Sequence, residues 1–511
     1  MARRPLDERA AWLIAYPDHV RAAGRAPLAV LGDLVSTHLA PEITGVHTLP
    51  VHPSSSDGGF SVRDHSLVDP AFGTWADLDT LAGQVTWMAD AVVNHVSAQG
   101  RWFRWFLAGE APYDRFFVRL PAHVDTSAVV RPRTSPLAHP FQTDDGHVER
   151  VWTTFSADQV DLDFRTPEVL LAIVEAVLRY VAHGARAVRL DAIAFVWKDP
   201  ATPSIHLPEA HAIVQLLRAC LDEVAPDVVL VTETNVPHAE NVAYFGDPPD
   251  APEADAVYQF PLAPLVLHAA VTGSTRPLVR WLQALAPPPA GRTFLNFLAS
   301  HDGIGVRPVE GLIDGAGLDA LVAATKAAGG VVNQRTADGV ARPYELAVSW
   351  FALMSAGAAA GGSDEATAIR RHLATHAVAL ALQGVPLLYL GSLFGVGNDT
   401  ATFARTGHGR DLNRARLTLA GVDSALGDPR TRAAGVWSGL RAMLATRASS
   451  PAFHPAGAQV IHDSPDGTVV VERIAPSGER AVVAVNLTDR PQRVTAPIRV
   501  GLAPWSSEWR T

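Results

Sequence analysis

The hydrophobic and polar positions along the chain alternate between two kinds of segment. Eight short runs are rich in Val, Leu, Ile, Phe and Ala, and each has the length of a buried β-strand. They span residues 11–16, 45–49, 86–93, 187–190, 228–232, 256–260, 293–298 and 385–390. Between several of these runs the apolar residues recur with a helical period, which predicts a parallel sheet flanked by helices.

Two of the intervening helices have clear boundaries in the sequence. Thr166 is the predicted N-cap of the first, with Pro167 in its first turn and Gly184 as its C-terminal stop. The second is predicted to begin at Pro208 and to end before Pro226. Eight strands that alternate with such helices favour a (β/α)8 barrel, a fold of about 250 residues.

Two segments depart from this alternation. Residues 103–165 are loop-rich and aromatic, which predicts an insertion after the third strand. From residue 435 a helix leads into short strands at 459–462, 469–474 and 481–486, a pattern typical of an antiparallel β domain. We therefore expect a barrel formed by residues 1–102 and 166–434, an insertion at 103–165, and a C-terminal β domain at 435–511.

Composition excludes several classes of protein. Of the 511 residues, 48% are hydrophobic and 18% are charged, so a large core is expected and extensive disorder is not. The net charge is −10 and no long basic run is present, which argues against a nucleic-acid partner. The single cysteine, Cys220, lies in a helical pattern and permits neither an internal disulfide nor a Cys-based zinc site.

No segment has the pattern of a signal peptide or of a membrane span. The N-terminus becomes acidic within eight residues, and the most apolar later stretch, 376–391, is interrupted by Gln383, Gly384 and Pro386. We expect a soluble cytoplasmic protein, a monomer or a homodimer, that has no membrane partner.

Candidate chemistry appears where the predicted strands end, because barrel enzymes place their active sites at that face. Asp191, Glu233 and Asp302 follow the fourth, fifth and seventh strands, with Arg189 and His301 beside them. A single carboxylate at such a place is usually a helix cap or a salt-bridge partner. Three acids that converge on one opening would repel one another unless the site uses their charge.

Two facing carboxylates with opposite protonation states are what glycoside chemistry requires. Arg189 lies two residues before Asp191 on the same side of the strand, so we expect it to lower the pKa of Asp191. Glu233 has no cation beside it in sequence, and burial would raise its pKa. The sequence thus predicts Asp191 as the nucleophile and Glu233 as the acid/base.

Four ordered motifs resemble the signature regions of the α-amylase glycoside hydrolase family. They are residues 90–95 (Asp-Ala-Val-Val-Asn-His), 189–192 (Arg-Leu-Asp-Ala), 233–235 (Glu-Thr-Asn) and 300–302 (Ser-His-Asp). The flanking segments 57–60, 159–163 and 297–308 look like the sugar phosphorylase branch, which contains sucrose phosphorylase and glucosylglycerate phosphorylase. The resemblance covers nearly the whole chain.

The resemblance implies roles for individual residues. Asp191 matches the nucleophile, Glu233 the acid/base, and Asp302 a third carboxylate that binds glucose hydroxyls and stabilises the transition state. Phe60 would offer an apolar face to the sugar ring, and Arg410 would pair with Asp57. The residues that match the glucose subsite are Asp57, Phe60, His95, Gln159, Arg189, His301 and Arg410. The branch needs no organic cofactor and no metal, so we expect neither.

The same resemblance points to a phosphate and acceptor region. Arg131, Arg133 and Tyr344 match mobile loops that admit phosphate, and the arginine fork suits a phosphate group. Glu345 departs from the sucrose phosphorylases, which carry Gln there, and would discourage an anionic acceptor such as glycerate if it lined that subsite. Residues 343–346 (Pro-Tyr-Glu-Leu) are nearer the glucosylglycerate and phosphorylated-sucrose branches, whereas residues 409–411 (Gly-Arg-Asp) resemble the sucrose enzymes.

These observations predict a retaining α-glucoside phosphorylase, most like a sucrose phosphorylase, that uses an α-glucoside and inorganic phosphate. The alternatives are phosphorylases of glucosylglycerate, glucosylglycerol or sucrose 6'-phosphate. A hydrolase or transglucosidase with the same carboxylates, and a barrel that has lost catalysis, are further alternatives.

Overall fold

The computed structural model describes residues 6–337, 340–356 and 364–511, and a closed barrel of eight parallel strands forms its centre. The strands are β1 (Trp12–Ala15), β2 (Gly45–Thr48), β3 (Thr86–Val92), β4 (Ala187–Asp191), β5 (Val229–Thr232), β6 (Ala256–Tyr258), β7 (Thr293–Asn296) and β8 (Val385–Tyr389). Each pairs with its neighbours in chain order, and β8 closes on β1. The predicted barrel and its eight strands are confirmed.

The strands appear as continuous apolar runs because both of their faces are buried. Every residue of β1 is buried, including the indole of Trp12. Trp12 pairs with Gly45 of β2, where an added Cβ would lie 2.4 Å from the indole Cδ1. A glycine at this position therefore allows the tryptophan to pack inside the sheet register.

Helices surround the barrel. The longer ones are Pro27–Leu34, Trp75–Gln84, Pro167–Ala182, Pro208–Val224, Leu262–Thr272, Arg276–Ala284, Gly315–Ala327, Glu365–Ala381, Leu419–Gly427 and Arg432–Ala448. The helix after Thr166 begins where the sequence predicted, but the Thr166 side chain does not cap it. Its hydroxyl instead donates to the Arg115 carbonyl at 2.8 Å, which ties the preceding segment to this helix.

The segment between β3 and the helix Pro167–Ala182 contains ordered elements. A short helix, Arg101–Leu107, precedes a hairpin of Ala138–Gln142 with Val148–Trp152. The strand Gln159–Asp161 then pairs with His95–Ser97, directly after β3. This pairing brings the end of the segment back to the mouth of the barrel.

A second hairpin follows β7. Its strands are Val331–Ala337 and Val340–Ala347, and the second pairs with Ile304–Gly305. This arrangement extends the β7 loop into a three-stranded sheet beside the carboxyl end of the barrel.

The C-terminal part of the chain forms an antiparallel sheet, as predicted. Its strands are Ala458–His462, Thr468–Ile474, Arg480–Asn486 and Ser507–Arg510, with a separate pair of Gln492–Val494 and Val500–Leu502. Residues 103 and 435, the predicted boundaries, lie inside the helices Arg101–Leu107 and Arg432–Ala448. The division of the chain into domains stays a prediction.

Cys220 is half-buried on the helix Pro208–Val224. Within the described ranges, every helix is too short or too polar to cross a bilayer.

Candidate active site

Twelve of the fourteen predicted site residues line one cavity at the carboxyl ends of the barrel strands. The two exceptions are Arg189 and Glu345, whose side chains are only 4% and 1% exposed. Both lie behind the cavity wall and contact residues that line it. The structure thus brings the predicted residues together, whereas their roles stay predictions.

One guanidinium beneath the cavity contacts three carboxylates. Arg189 Nη1 donates to Asp90 Oδ1 at 2.7 Å and to Asp191 Oδ1 at 2.8 Å. Its Nη2 lies 3.8 Å from Glu233 Oε2. The parallel register pairs Asp90 on β3 with Arg189 on β4, and His47 Nε2 donates to the other Asp90 oxygen at 3.0 Å. Neighbouring strands therefore set the geometry of this cluster.

The pKa of Asp191 shifts in the opposite direction to the one predicted. Burial raises the pKa of the Asp191 carboxyl well above its ordinary value; Arg189 opposes the rise, and Glu233 and Asp90 add to it. Arg189 acts in the predicted direction, but burial outweighs it, so the expected net lowering of the Asp191 pKa is wrong. Arg189 is also shared with Asp90. Burial likewise raises the pKa of Glu233. Two adjacent acids with raised pKa values titrate as a coupled pair.

The backbone after β4 orients Glu233. Ala192 adopts a left-handed φ of 51°, which is uncommon for a residue with a Cβ. Its N–H donates to Glu233 Oε2 at 3.1 Å. The Glu233 N–H in turn donates to the Leu190 carbonyl at 3.1 Å. A strained residue next to Asp191 thus supplies a fixed donor to the second carboxylate.

Asp302 and Arg410 form the second charged group of the cavity. Arg410 Nη1 lies 2.8 Å from Asp302 Oδ1 but 3.6 Å from Asp57 Oδ1, so the predicted pairing with Asp57 is the weaker one. Glu345 accepts from Arg410 Nε at 3.1 Å and from Nη2 at 2.8 Å. Burial alone would raise the pKa of Asp302, but Arg410 and Arg414 hold that pKa below its ordinary value. Asp302 is therefore ionised.

Aromatic and amide side chains form the opposite wall. The Phe60 ring stacks on His301 with centroids 4.7 Å apart, so one of its faces is already covered. His95 Nε2 donates to the Phe60 carbonyl at 2.9 Å, and Gln159 Nε2 donates to Asp57 Oδ2 at 3.3 Å. Burial lowers the pKa of His95 and of His301, which makes both imidazoles neutral. Apart from the Asp57 carboxylate, this wall offers hydrogen bonds from uncharged groups.

The residues predicted for phosphate reach the cavity from two elements. Arg133 in the insertion lies over the rings of Phe155 and Tyr344, 5.9 and 5.4 Å from their centroids. Arg131 donates to the Ser135 carbonyl within its own loop. Tyr344 lies on the hairpin strand Val340–Ala347 and lines the cavity. The insertion and the hairpin therefore meet at the cavity entrance.

Several residues of the site were not assigned from sequence. Asp90 lies in the motif of residues 90–95, and a carboxylate inside a predicted buried strand was the feature that could have identified it. Lys198 gave no signal: its Nζ lies 2.9 Å from Asp161 Oδ2 and donates to Asn94 Oδ1 at 2.6 Å. Arg307 and Arg335 also line the cavity. In the part of the chain that the structure describes, no group of three or more His, Cys, Asp or Glu side chains is arranged to hold a metal ion.

Comparison with known proteins gives matches over most of the chain. The α-amylase catalytic-domain model matches residues 41–284. A glucosylglycerate phosphorylase of Allomeiothermus silvanus is 45% identical over 508 residues, which cover 99% of this chain and 89% of that protein. A sucrose phosphorylase of Agrobacterium vitis is 30% identical over 86% of this chain and 88% of its own.

A solved structure supports the same architecture. The crystal structure of sucrose 6F-phosphate phosphorylase from Thermoanaerobacter thermosaccharolyticum superimposes with a TM-score of 0.81. The match covers 98% of this chain and 99% of that one at 23% identity. At this identity the comparison shows the shared fold alone.

Proposed function

We propose that this chain, which belongs to the α-amylase family, is a glucosylglycerate phosphorylase. It would convert glucosylglycerate and phosphate to α-glucose 1-phosphate and glycerate. The coarser class, an α-glucoside phosphorylase, is that of its full-length relatives. The observation that carries the finer proposal is the 45% identity over 99% of the chain, against 30% for the sucrose enzyme. Sucrose, the main prediction from sequence, is therefore less well supported than its alternative.

The position of Glu345 removes the sequence argument against an anionic acceptor. That argument required the Glu345 carboxylate to line the acceptor subsite. Its side chain is 1% exposed and is bound at both oxygens by Arg410. A buried, neutralised carboxylate exerts little repulsion on an anion in the cavity.

In the first half-reaction, an Asp191 oxygen attacks the anomeric carbon as the bond from that carbon to the glycerate oxygen breaks. Glu233 gives its proton to the departing oxygen, so glycerate leaves as an alcohol. The position of Arg189 supports these roles for the ionised Asp191 and the protonated Glu233. Its hydrogen bond to Asp191 is 2.8 Å long, whereas Glu233 lies 3.8 Å away. The pair's single proton is then held by Glu233, and a glucosyl ester forms on Asp191.

In the second half-reaction, a phosphate oxygen attacks the same carbon from the vacated side. The bond to Asp191 breaks, and the ionised Glu233 accepts a proton from the phosphate. Two inversions give net retention, so the product is the α-anomer. The ionised Asp302, held by Arg410, stabilises the positive charge that develops on the sugar.

The test is an acceptor panel with α-glucose 1-phosphate and fructose, fructose 6-phosphate, glycerol or glycerate, with phosphate release as the readout. We expect the highest kcat/KM with glycerate. A higher value with fructose would instead support the sucrose alternative.

A second measurement separates phosphorolysis from hydrolysis. With glucosylglycerate and phosphate, proton NMR should show α-glucose 1-phosphate as the first product. Free glucose formed at the same rate without phosphate would identify a hydrolase, and the β-anomer would identify an inverting enzyme.

A further inference from the structure

Two arginines at the cavity have no role in the chemistry described above. Arg307 lies in the short helix Arg307–Val309 after β7, and Arg335 lies on the hairpin strand Val331–Ala337. Both line the cavity, although their side chains are only 18% and 17% exposed. A guanidinium so far removed from water needs anionic or carbonyl partners.

The protein satisfies these two groups incompletely. Arg307 Nη2 lies 3.5 Å from Glu240 Oε2, and that oxygen is also 3.2 Å from His206 Nε2. Arg335 Nη2 donates to Glu310 at 2.6 Å, whereas its buried Nε has no hydrogen-bond partner among the described residues. A guanidinium has five N–H donors, so each side chain retains donors for a bound anion.

Charge is distributed unevenly along the cavity. The carboxylates Asp191, Glu233 and Asp302 surround Arg189 and Arg410, which also contact the buried Asp90 and Glu345. Arg307 and Arg335 have only the partly exposed Glu240 and Glu310, whose side chains are 41% and 53% exposed and hence screened by water. The unmatched positive potential attracts a small anion to these two residues.

We propose that Arg307 and Arg335 bind the carboxylate of the acceptor and so select a short hydroxy acid over a neutral polyol. This assignment rests on the proposed function. It is separate from the phosphate prediction, which concerns Arg131 and Arg133 of the insertion and Tyr344. An arginine fork pairs with both oxygens of a carboxylate, whereas a hydroxymethyl group offers no charge.

The test compares glycerate with glycerol, which differ in one group, a carboxylate against a hydroxymethyl. Arg307→Gln and Arg335→Gln are assayed with α-glucose 1-phosphate and each acceptor. We expect each variant to lower the ratio of kcat/KM for glycerate to that for glycerol by about 10- to 100-fold, the size of a charged hydrogen bond. The change should lie mainly in KM for glycerate, and KM for phosphate should change less than about threefold.

Arg342→Gln is the matched control. Arg342 lies opposite Arg335 in the backbone register of the same hairpin, and its side chain is exposed. Its acceptor ratio should stay at the wild-type value. Arg307→Lys and Arg335→Lys retain the charge, so they should keep more of the ratio than the Gln variants even where stability falls.

Three results would overturn the assignment. If the acceptor ratio and the KM for phosphate are both unchanged in the two Gln variants, the two arginines are structural. A rise in KM for phosphate with an unchanged ratio would assign them to phosphate. A wild-type enzyme that does not use glycerate at all would overturn the proposed function as well, and the acceptor panel detects that outcome before any variant is made.

Discussion

Arg189 controls the protonation of the site because it is one buried cation among three carboxylates. It contacts Asp90 and Asp191 through Nη1 and approaches Glu233 through Nη2. Burial raises the pKa values of Asp191 and Glu233, and the nearby charge of Asp90 adds to the rise. In the proposed mechanism the pair shares one proton, which Glu233 carries and Asp191 lacks.

Asp191→Asn should abolish turnover and stabilise the fold. We expect kcat to fall by about 10⁴-fold or more and the free energy of unfolding at pH 7 to rise by about 0.5–2 kcal/mol. The folded-state pKa of Asp191 is raised, so its ionised form destabilises the protein above that pKa and not below its unfolded pKa of about 4. The gain, measured by urea unfolding, should therefore vanish as the pH falls toward 4.

The exposed loop carboxylate Asp125 supplies the control. Hydrogen bonds from Ser127 hold the pKa of Asp125 below its ordinary value, so Asp125→Asn should leave kcat unchanged and should not raise stability at pH 7. Turnover of Asp191→Asn within tenfold of wild type would remove Asp191 as the nucleophile.

Asp90→Asn should move the pH profile of kcat/KM to lower pH. Asp90 is a buried negative charge that raises the pKa of both Asp191 and Glu233. Its removal lowers both values, so the acidic and the alkaline limbs shift in the same direction. Asp79→Asn on the surface helix Trp75–Gln84 should leave the profile in place. Limbs that stay fixed, or that move to higher pH, would contradict the shared-cation model.

At the scale of elements, a buried ammonium joins the insertion to the barrel. Lys198, in the loop after β4, contacts Asp161 at the end of Gln159–Asp161 and Asn94 just after β3. The side chains of Lys198 and Asp161 are 2% and 0% exposed. Because Gln159 and His95 lie on the two paired strands beside this contact, the ion pair also positions part of the cavity wall.

Lys198→Met should destabilise the protein by about 3–5 kcal/mol, because it leaves Asp161 as an uncompensated buried charge. Urea unfolding measures the loss. The chain has one other lysine, Lys326, which is exposed, and Lys326→Met should change stability by no more than about 0.5 kcal/mol. Adding Asp161→Leu to Lys198→Met should restore part of the lost free energy of unfolding, because the unpaired buried charge is removed. A loss below about 1 kcal/mol for Lys198→Met would show that this pair does not hold the insertion.

At the scale of the whole molecule, the reaction site and the C-terminal sheet contact different ends of the barrel elements. The cavity lies at the carboxyl ends of the strands. Asp466 of the sheet accepts from Ser274 Oγ at 3.1 Å and from the Thr275 N–H at 2.9 Å, just after the helix Leu262–Thr272 ends. Since that helix runs back from the strand ends, docking of the sheet and catalysis are separable.

Asp466→Ala should lower stability without altering catalysis. Loss of these hydrogen bonds should cost about 1–3 kcal/mol, because the Thr275 N–H is left without its acceptor. Thermal unfolding and kcat/KM at 25 °C are the two measurements, and kcat/KM should stay within about twofold of wild type. Glu479→Ala, in an exposed turn of the same sheet, is the control. A large fall in kcat/KM would show that the sheet and the cavity are coupled.

The prediction of the barrel succeeded because its strands are buried on both faces and therefore form continuous apolar runs. The acids that follow β4, β5 and β7 could be placed in one site because parallel strands end at one face. The ion pairs could not be predicted, since Arg410 and Glu345 are 65 residues apart and Lys198 and Asp161 lie in different segments. The family resemblance implied Asp57 as the partner of Arg410, whereas Asp302 and Glu345 lie closer to it.

The amino-acid sequence by itself determined the eight strands, the order of the motifs and the identity of the acids at the strand ends, because these depend on local periodicity. Only the tertiary structure decided which charges neutralise one another. Packing buried Arg189 among three carboxylates and turned Glu345 away from the cavity onto Arg410. The energy of a buried charge depends on partners that the fold brings within a few ångströms, whatever their separation along the chain.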